Sequence, residues 1–76
     1  MEQEKFFTYF YEEYNPPFTE DGIEYRDLFL WREDEDGKPI WPVVGEVLTL
    51  SLEANVFYKV TNELKGPHYY VTRIDM

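Results

Sequence analysis

Three short runs of the chain alternate in chemical character with a period of two residues, and this pattern limits the fold more than any other feature. The runs are VLTLSL at 47–52, NVFYKVTN at 55–62 and HYYVTRID at 68–75. Successive side chains of a β-strand point to opposite faces, so a period of two predicts strands with one buried face. Turn-forming residues recur between such runs, at 15–17, 20–22, 35–39, 53–55 and 64–67. Closely spaced turns between short strands predict an all-β barrel or sandwich.

We therefore predict that residues 1–76 form a single small β domain, an antiparallel β-barrel of five to six strands. A chain of 76 residues buries only about 60% of its unfolded surface, and this one has no cysteine for disulfides. Its aromatic content of 20% can compensate, because each buried ring removes a large area from water. The lack of cysteine, of a long apolar run and of a secretion signal favours a cytoplasmic protein.

The alternation also predicts which side chains form the core. The run LFLW at 28–31 is apolar on both faces, which indicates a central or covered strand. We expect this part of the chain to cover one end of the core with Phe29 and Trp31. The core itself is predicted to contain the apolar residues Leu48, Leu50, Val60, Val71 and Ile74.

The N-terminal segment, residues 5–14, fits either a strand or a short helix. Phe6, Phe7, Phe10, Tyr11 and Tyr14 would form one stripe of a helix. Aromatic residues and threonine are poor helix formers and are common in strands. We therefore favour a strand.

The segment WREDEDGKPIWP at 31–42 has the sequence of a hairpin tip. Asp36-Gly37 is typical of a two-residue type I′ turn, in which both central residues have positive φ. Such a turn would place Glu35 opposite Lys38 and Arg32 opposite Trp41, with the second pair able to stack.

The acidic residues in this segment do not have the spacing of a calcium loop. An EF-hand loop needs acidic side chains at positions 1, 3 and 5, glycine at 6 and glutamate at 12. If Gly37 occupies position 6, then Arg32 occupies position 1 and Val43 position 12. We predict no metal and no cofactor.

Catalytic candidates are few. Ser51 is expected in mid-strand and His68 in an exposed turn, so a Ser–His pair would form only by accident of folding. The carboxylate pairs Glu12/Glu13 and Glu33/Asp34 lie in polar runs where burial would not tune their pKa values. The expectation is that the protein is not an enzyme.

Charge is distributed unevenly along the chain. Residues 1–36 carry twelve acidic and three basic side chains, whereas residues 37–76 carry four of each, so the net charge of −9 lies in the first half. Affinity for a phosphate backbone comes from Lys and Arg, so direct nucleic-acid binding is disfavoured. The alternative is an aromatic stacking face with two cations, formed by Phe57, Tyr58, Lys59, Tyr69, Tyr70 and Arg73.

The second half resembles the small SH3-like barrels of phage and bacterial proteins. The resemblance covers about 35 residues, from PVVGEVLTL through NVFYKVTNEL to GPHYYVTRID. The matching positions are Pro42, Gly45, Glu46, Tyr58, Val60, Tyr70, Val71 and Ile74. This resemblance implies a small barrel with an interaction role and no catalytic residues.

Acidic residues interleaved with aromatics are typical of a protein interface with aromatic anchors and a charged rim. We expect a non-enzymatic module that binds a protein with a basic surface, without membrane or direct nucleic-acid binding. One form of this hypothesis is a viral (phage) inhibitor in the host cytoplasm that mimics nucleic-acid charge. The alternative is a structural barrel subunit that assembles with copies of itself. The expected oligomeric state is therefore a monomer under the first hypothesis or a small homo-oligomer under the second. The predicted partner-binding residues are Trp31, Glu33, Asp34, Glu35, Asp36 and Trp41.

Overall fold

Six β-strands make up most of the protein in the computed structural model, which describes residues 6–75. Across these residues, no helix is long and apolar enough to cross a membrane. The mainly β prediction and the number of strands are confirmed. The strands are β1 (Phe7–Glu20), β2 (Ile23–Glu33), β3 (Pro39–Ile40), β4 (Val47–Leu50), β5 (Glu53–Glu63) and β6 (His68–Ile74).

The hydrogen bonds of five strands form a ring. The sheet has the order β1-β4-β5-β6-β2-β3, and a further pairing of β1 with β2 closes the ring. All pairings are antiparallel except that of β1 with β4. The purely antiparallel expectation is wrong at this point for a geometric reason: strand direction alternates around the ring, so five strands leave one parallel pair.

β1 is a long strand, which confirms the strand interpretation for the described part of segment 5–14. Lys5 lies outside the described residues. β1 pairs with β4 at Phe7–Tyr9 and with β2 from Phe10 onward. Its ladder with β2 is irregular between Glu13 and Phe18, where two prolines lack the N–H groups needed for ladder hydrogen bonds.

The core lies inside the ring. The predicted core residues Leu48, Leu50, Val60 and Val71 are confirmed, each at most 1% exposed. Ile74 is a wrong prediction: it has the opposite parity to Val71 on β6, and it is only half-buried. The other buried hydrophobic residues are Tyr9, Leu28, Leu30, Tyr58 and Tyr69.

β2 differs from the expectation for its aromatic residues. Leu28 and Leu30 point inward and are fully buried. Phe29 and Trp31 alternate with them, so they lie half-buried on the outer face instead of covering an end of the core.

The type I′ turn predicted at Asp36-Gly37 forms instead at the other Asp-Gly pair. Asp21 and Gly22 have φ values of 54° and 80°, and they connect the paired residues Glu20 and Ile23. Positive φ at both central positions defines the type I′ hairpin.

At the second Asp-Gly pair, only Gly37 has positive φ. The side chain of Asp34 accepts hydrogen bonds from the backbone N–H groups of Asp36 (2.8 Å) and Lys38 (2.9 Å), which closes a wider loop. The ladder therefore pairs Arg32 with Ile40, and the predicted pairs Glu35–Lys38 and Arg32–Trp41 are wrong. The short strand β3 lies at the edge of the sheet, where proline is tolerated.

Candidate functional site

The acidic tip, which we define as Glu33–Asp36, lies at the end of β2 with all four side chains exposed. Phe7 and Arg32 line a shallow depression beside it. Asp34 has the additional structural role of bonding the loop backbone. Among residues 6–75, no group of three or more His, Cys, Asp or Glu side chains is arranged to hold a metal ion.

The two tryptophans predicted to flank the tip lie in different surroundings. Trp31 packs on the outer face of β2 against Phe10, with ring centres 6.0 Å apart. Trp41 follows β3, is 48% exposed, and borders an apolar groove of about 310 Å³ together with Val43 and Pro67. Trp41 is therefore the more accessible of the two rings for a partner.

Arg32 does not stack on Trp41 as predicted. Its guanidinium carbon lies 3.8 Å from the centre of the Phe7 ring and 5.5 Å from that of Tyr9. Both contacts are within the range of a cation–π interaction. Arg32 thus contacts two aromatic rings while it lines the same depression as the four acidic residues that follow it in sequence.

Arg26 lies at the centre of a hydrogen-bonded network inside one end of the ring. It donates to both carboxylate oxygens of Glu53 (3.0 and 2.9 Å), to the hydroxyl of Tyr58 (2.8 Å) and to Glu13 (2.6 Å). Tyr58 and Tyr11 donate their own hydroxyl protons to Glu53 at 2.7 and 3.0 Å. The network joins β1, β2 and β5 and satisfies a largely buried cation.

The charges of this network shift one another's pKa values. Burial alone would raise the pKa of Glu53, but hydrogen bonds from Tyr58, Arg26 and Tyr11 outweigh it and hold that pKa below 4.5. Burial would lower the pKa of Arg26, but bonds to Glu53 and Glu13 raise it. Both groups are therefore ionised at neutral pH, and their charges are matched within the ring.

The partly buried positions of both arginines leave the exposed charges of residues 6–36 uniformly acidic. Arg26 and Arg32 are the only basic residues between positions 6 and 36, and neither is fully exposed. Every exposed charged side chain in that range is a carboxylate. These carboxylates belong to Glu12, Glu13, Glu20, Asp21, Glu24, Glu33, Asp34, Glu35 and Asp36.

The structure also contains a buried Asp–His pair that the sequence analysis missed. Asp27 is 4% exposed although it lies on the outer face of β2. It accepts a hydrogen bond from the side chain of Asn15 (2.9 Å) and contacts Nε2 of His68. Tyr14 and Phe29 pack on the imidazole, with ring centres 4.6 and 5.3 Å away.

This arrangement corrects the expected positions of the catalytic candidates. His68 begins β6 and is half-buried, so it is not an exposed turn residue. Ser51 lies in the exposed turn after β4 instead of in mid-strand. The imidazole is brought to Asp27, where the rings of Tyr14 and Phe29 pack on it. The signal in the sequence is Asp27 itself, an acidic residue directly before the apolar run LFLW of β2.

The residues of the alternative nucleic-acid platform do not share one face. Tyr58 and Tyr69 are buried in the core. Phe57 and Tyr70 have the opposite parity on the same strands and lie half-buried on the outer side. A stacking surface therefore does not form from the predicted set.

Comparisons with known proteins found no similar protein. No family model matches the chain, and the searches of curated proteins and of solved structures found no match. The similarity of the second half to SH3-like barrels stays a prediction.

Proposed function

We propose that the protein is a non-enzymatic interaction module that binds a partner protein with a basic surface. The observation that supports this most strongly is the uniform sign of the exposed charges between residues 6 and 36. Carboxylates of one sign on one part of a protein attract a basic partner over about 8–10 Å at physiological ionic strength. Residues 6–36 hold ten acidic side chains and two arginines, so a strong negative charge remains after the arginines are counted.

We infer that the acidic tip and Trp41 act together in this binding. Only four residues separate them in sequence, Gly37 and Lys38 followed by the two residues of β3. The tip supplies charge, and Trp41 supplies an exposed ring beside an apolar groove. Aromatic anchors beside charged rims are common in protein interfaces. In the viral form of this proposal, the strand ring is an SH3-like barrel in the host cytoplasm, and its carboxylates occupy a nucleic-acid-binding surface of the partner.

The test is a pull-down from extracts of the natural host followed by kinetics with the isolated partner. The variant Glu33→Gln/Glu35→Gln/Asp36→Asn removes three charges of the tip and keeps Asp34, whose carboxylate closes the loop. Association should slow by about tenfold or more at low salt and become less dependent on salt, because electrostatic attraction mainly sets the on-rate.

A matched control separates the tip from net charge. Asp75→Asn removes one exposed carboxylate at the far end of the chain, as Glu35→Gln does at the tip. Glu35→Gln should slow association more than Asp75→Asn. Equal effects of the two, or an unchanged on-rate in the triple variant, would mean that the tip is only a solvent-exposed turn with no part in binding.

A structural subunit that assembles with copies of itself is the second candidate. It is favoured by three exposed apolar residues within a short segment: Trp41, Val43 and Val44 are 48%, 64% and 55% exposed. Measuring the mass in solution across a range of concentrations decides between the two. A monomer at high concentration supports the interaction module, whereas a stable ring or oligomer supports the subunit.

A further inference from the structure

The outer side of the ring has a small pocket with three aromatic walls, which we call the aromatic pocket. It has a volume of about 230 Å³ and is lined by Phe18, Glu20, Tyr25, Asn62 and Tyr70. Binding sites for whole small molecules usually exceed about 300 Å³. The aromatic pocket is therefore better suited to one side chain of a partner than to a free ligand.

The β-ladder fixes the walls of the pocket. Phe18 on β1 and Tyr25 on β2 are cross-strand partners, and their rings stack at 5.3 Å with an angle of 22°. Tyr70 on β6 meets Phe18 edge-on at 5.0 Å and 70°. The pocket is therefore lined by a stacked pair of rings and by a third ring steeply inclined to Phe18.

The rim of the pocket is polar and acidic. Glu20 contributes an exposed carboxylate next to the type I′ turn. Asn62 contributes an amide from the bulge of β5, where it is the ladder partner of Tyr70. The faces of aromatic rings attract cations, and a carboxylate at the edge strengthens that preference.

Another site in the protein combines aromatic rings with a carboxylate, and it binds a guanidinium group. Arg26 lies over the rings of Tyr11 and Tyr58, at 5.6 and 5.3 Å, and is held by the carboxylate of Glu53. This aromatic and acidic site is filled by a guanidinium group from the chain itself.

Arg32 repeats the aromatic part of this pattern, with its guanidinium over the ring of Phe7. The aromatic pocket has the same components, but none of its five lining residues is basic.

We propose that the aromatic pocket binds the guanidinium group of an arginine contributed by the basic partner. This inference rests on the proposed function and names the side chain that the partner inserts. Arginine fits better than lysine because its planar group stacks on rings while its N–H groups bond the carboxylate of Glu20 and the amide oxygen of Asn62. The charge of the first half favours a cation at this position.

The test is an NMR titration of the full chain with three probe peptides. The probes are acetyl-Gly-Gly-X-Gly-Gly-amide, in which X is arginine, lysine or citrulline, the uncharged analogue of arginine. The arginine peptide should shift the ring resonances of Phe18, Tyr25 and Tyr70, with a dissociation constant of about 1 mM. The lysine peptide should bind about threefold more weakly, and the citrulline peptide should leave the rings unshifted.

Two pairs of variants locate the binding. Phe18→Leu removes one wall and should weaken arginine binding about two- to fivefold, whereas Phe10→Leu removes a ring elsewhere on β1 and should not. Glu20→Gln should weaken it about two- to fourfold, and Glu12→Gln should not. The comparison of arginine with citrulline uses only the unaltered protein, so it stands even if a variant fails to fold.

The outcomes separate this inference from the proposed function. Equal binding of arginine and citrulline, or shifts confined to Glu33–Asp36 with arginine and lysine alike, would overturn the aromatic pocket as an arginine site. Neither result contradicts the proposed function, which is tested separately by the association rates of the acidic-tip variants with the partner and by the mass in solution.

Discussion

Arg26 on the inner face of β2 is paired with carboxylates, whereas the acidic tip at the end of the same strand leaves its charges in water. On the inner face, Arg26 is matched by Glu53 and Glu13 within hydrogen-bonding distance. At the end of the same strand, the carboxylates of Glu33–Asp36 are exposed. An inward charge without partners would carry a large desolvation cost, and an exposed one does not. The comparison indicates that the inner charges contribute to the fold and the outer charges are available for binding.

The largest expected effect on stability comes from truncating a side chain of the apolar core. Leu50→Ala should lower the free energy of unfolding by about 2–5 kcal/mol, because Leu50 is 1% exposed and its truncation leaves a cavity. Leu52→Ala is the matched control, since Leu52 has the same parity but is 83% exposed beyond the end of β4. Urea denaturation measures both, and a similar loss in the two variants would contradict the assignment of faces.

Removing the inner cation should have the next largest effect. Arg26→Met should cost about 1–3 kcal/mol, because Glu53 and Glu13 lose a charged donor while the apolar stem is kept. Arg73→Met changes an exposed arginine on β6 and should cost less than about 0.5 kcal/mol. If both variants unfold at the same urea concentration, the inner network does not stabilise the fold.

The acid dependence of stability tests Glu53 directly. Its pKa in the folded protein is held below the ordinary value of 4.5, so the carboxylate is stabilised by folding. That contribution is complete above pH 4.5 and is lost as the pH falls through the lower folded value. Glu53→Gln should therefore flatten the acid side of a plot of unfolding free energy against pH. An unchanged slope would mean that other carboxylates set the acid sensitivity.

The smallest effect on stability is expected at the acidic tip. Glu33→Gln/Glu35→Gln/Asp36→Asn should change the free energy of unfolding by less than about 0.5 kcal/mol, because these side chains are exposed. Asp34→Ala should cost about 0.5–2 kcal/mol, since its carboxylate bonds two backbone N–H groups of the loop. Thermal unfolding measures both variants. A triple variant less stable than Asp34→Ala would contradict the view that the exposed tip charges contribute little to the fold.

The sequence predicts the parts of the fold that depend on local pattern. The period-two runs place Leu48, Leu50, Val60 and Val71 inside the ring, as the structure confirms. Ile74 is apolar but lies outside the core, because its parity on β6 puts it on the other face.

The turns show a similar limit. Both Asp-Gly pairs carry the local signal of a type I′ turn, but only Asp21-Gly22 adopts it. At the other pair, the carboxylate of Asp34 bonds the loop and selects a wider turn. A side chain two residues before the signal thus decides the register of the hairpin.

The candidate sites were less predictable because their contacts are remote in sequence. Exposure of the acidic tip follows from composition, since four adjacent carboxylates cannot be buried unpaired. By contrast, Arg26 meets Glu53 across 27 positions, and Asp27 meets His68 across 41. The period of a strand gives the face of each residue and not which strand lies next to it, so these partners could not be named from sequence.

The parallel pairing of β1 with β4 has a consequence for how the ring forms and opens. β1–β2 and β4–β5–β6 are each built from neighbouring strands in sequence, so they can form early, and the ring then closes across contacts about 40 residues apart. The β1–β4 contact spans only three residue pairs, against five between β2 and β6. We expect it to close last and to open first, with faster amide exchange at Phe7–Tyr9 than in the middle of β6. Tyr9, Leu48 and Leu50 lie on that short contact and are buried. Each opening of the β1–β4 pairing would therefore expose these core side chains to water for a short time.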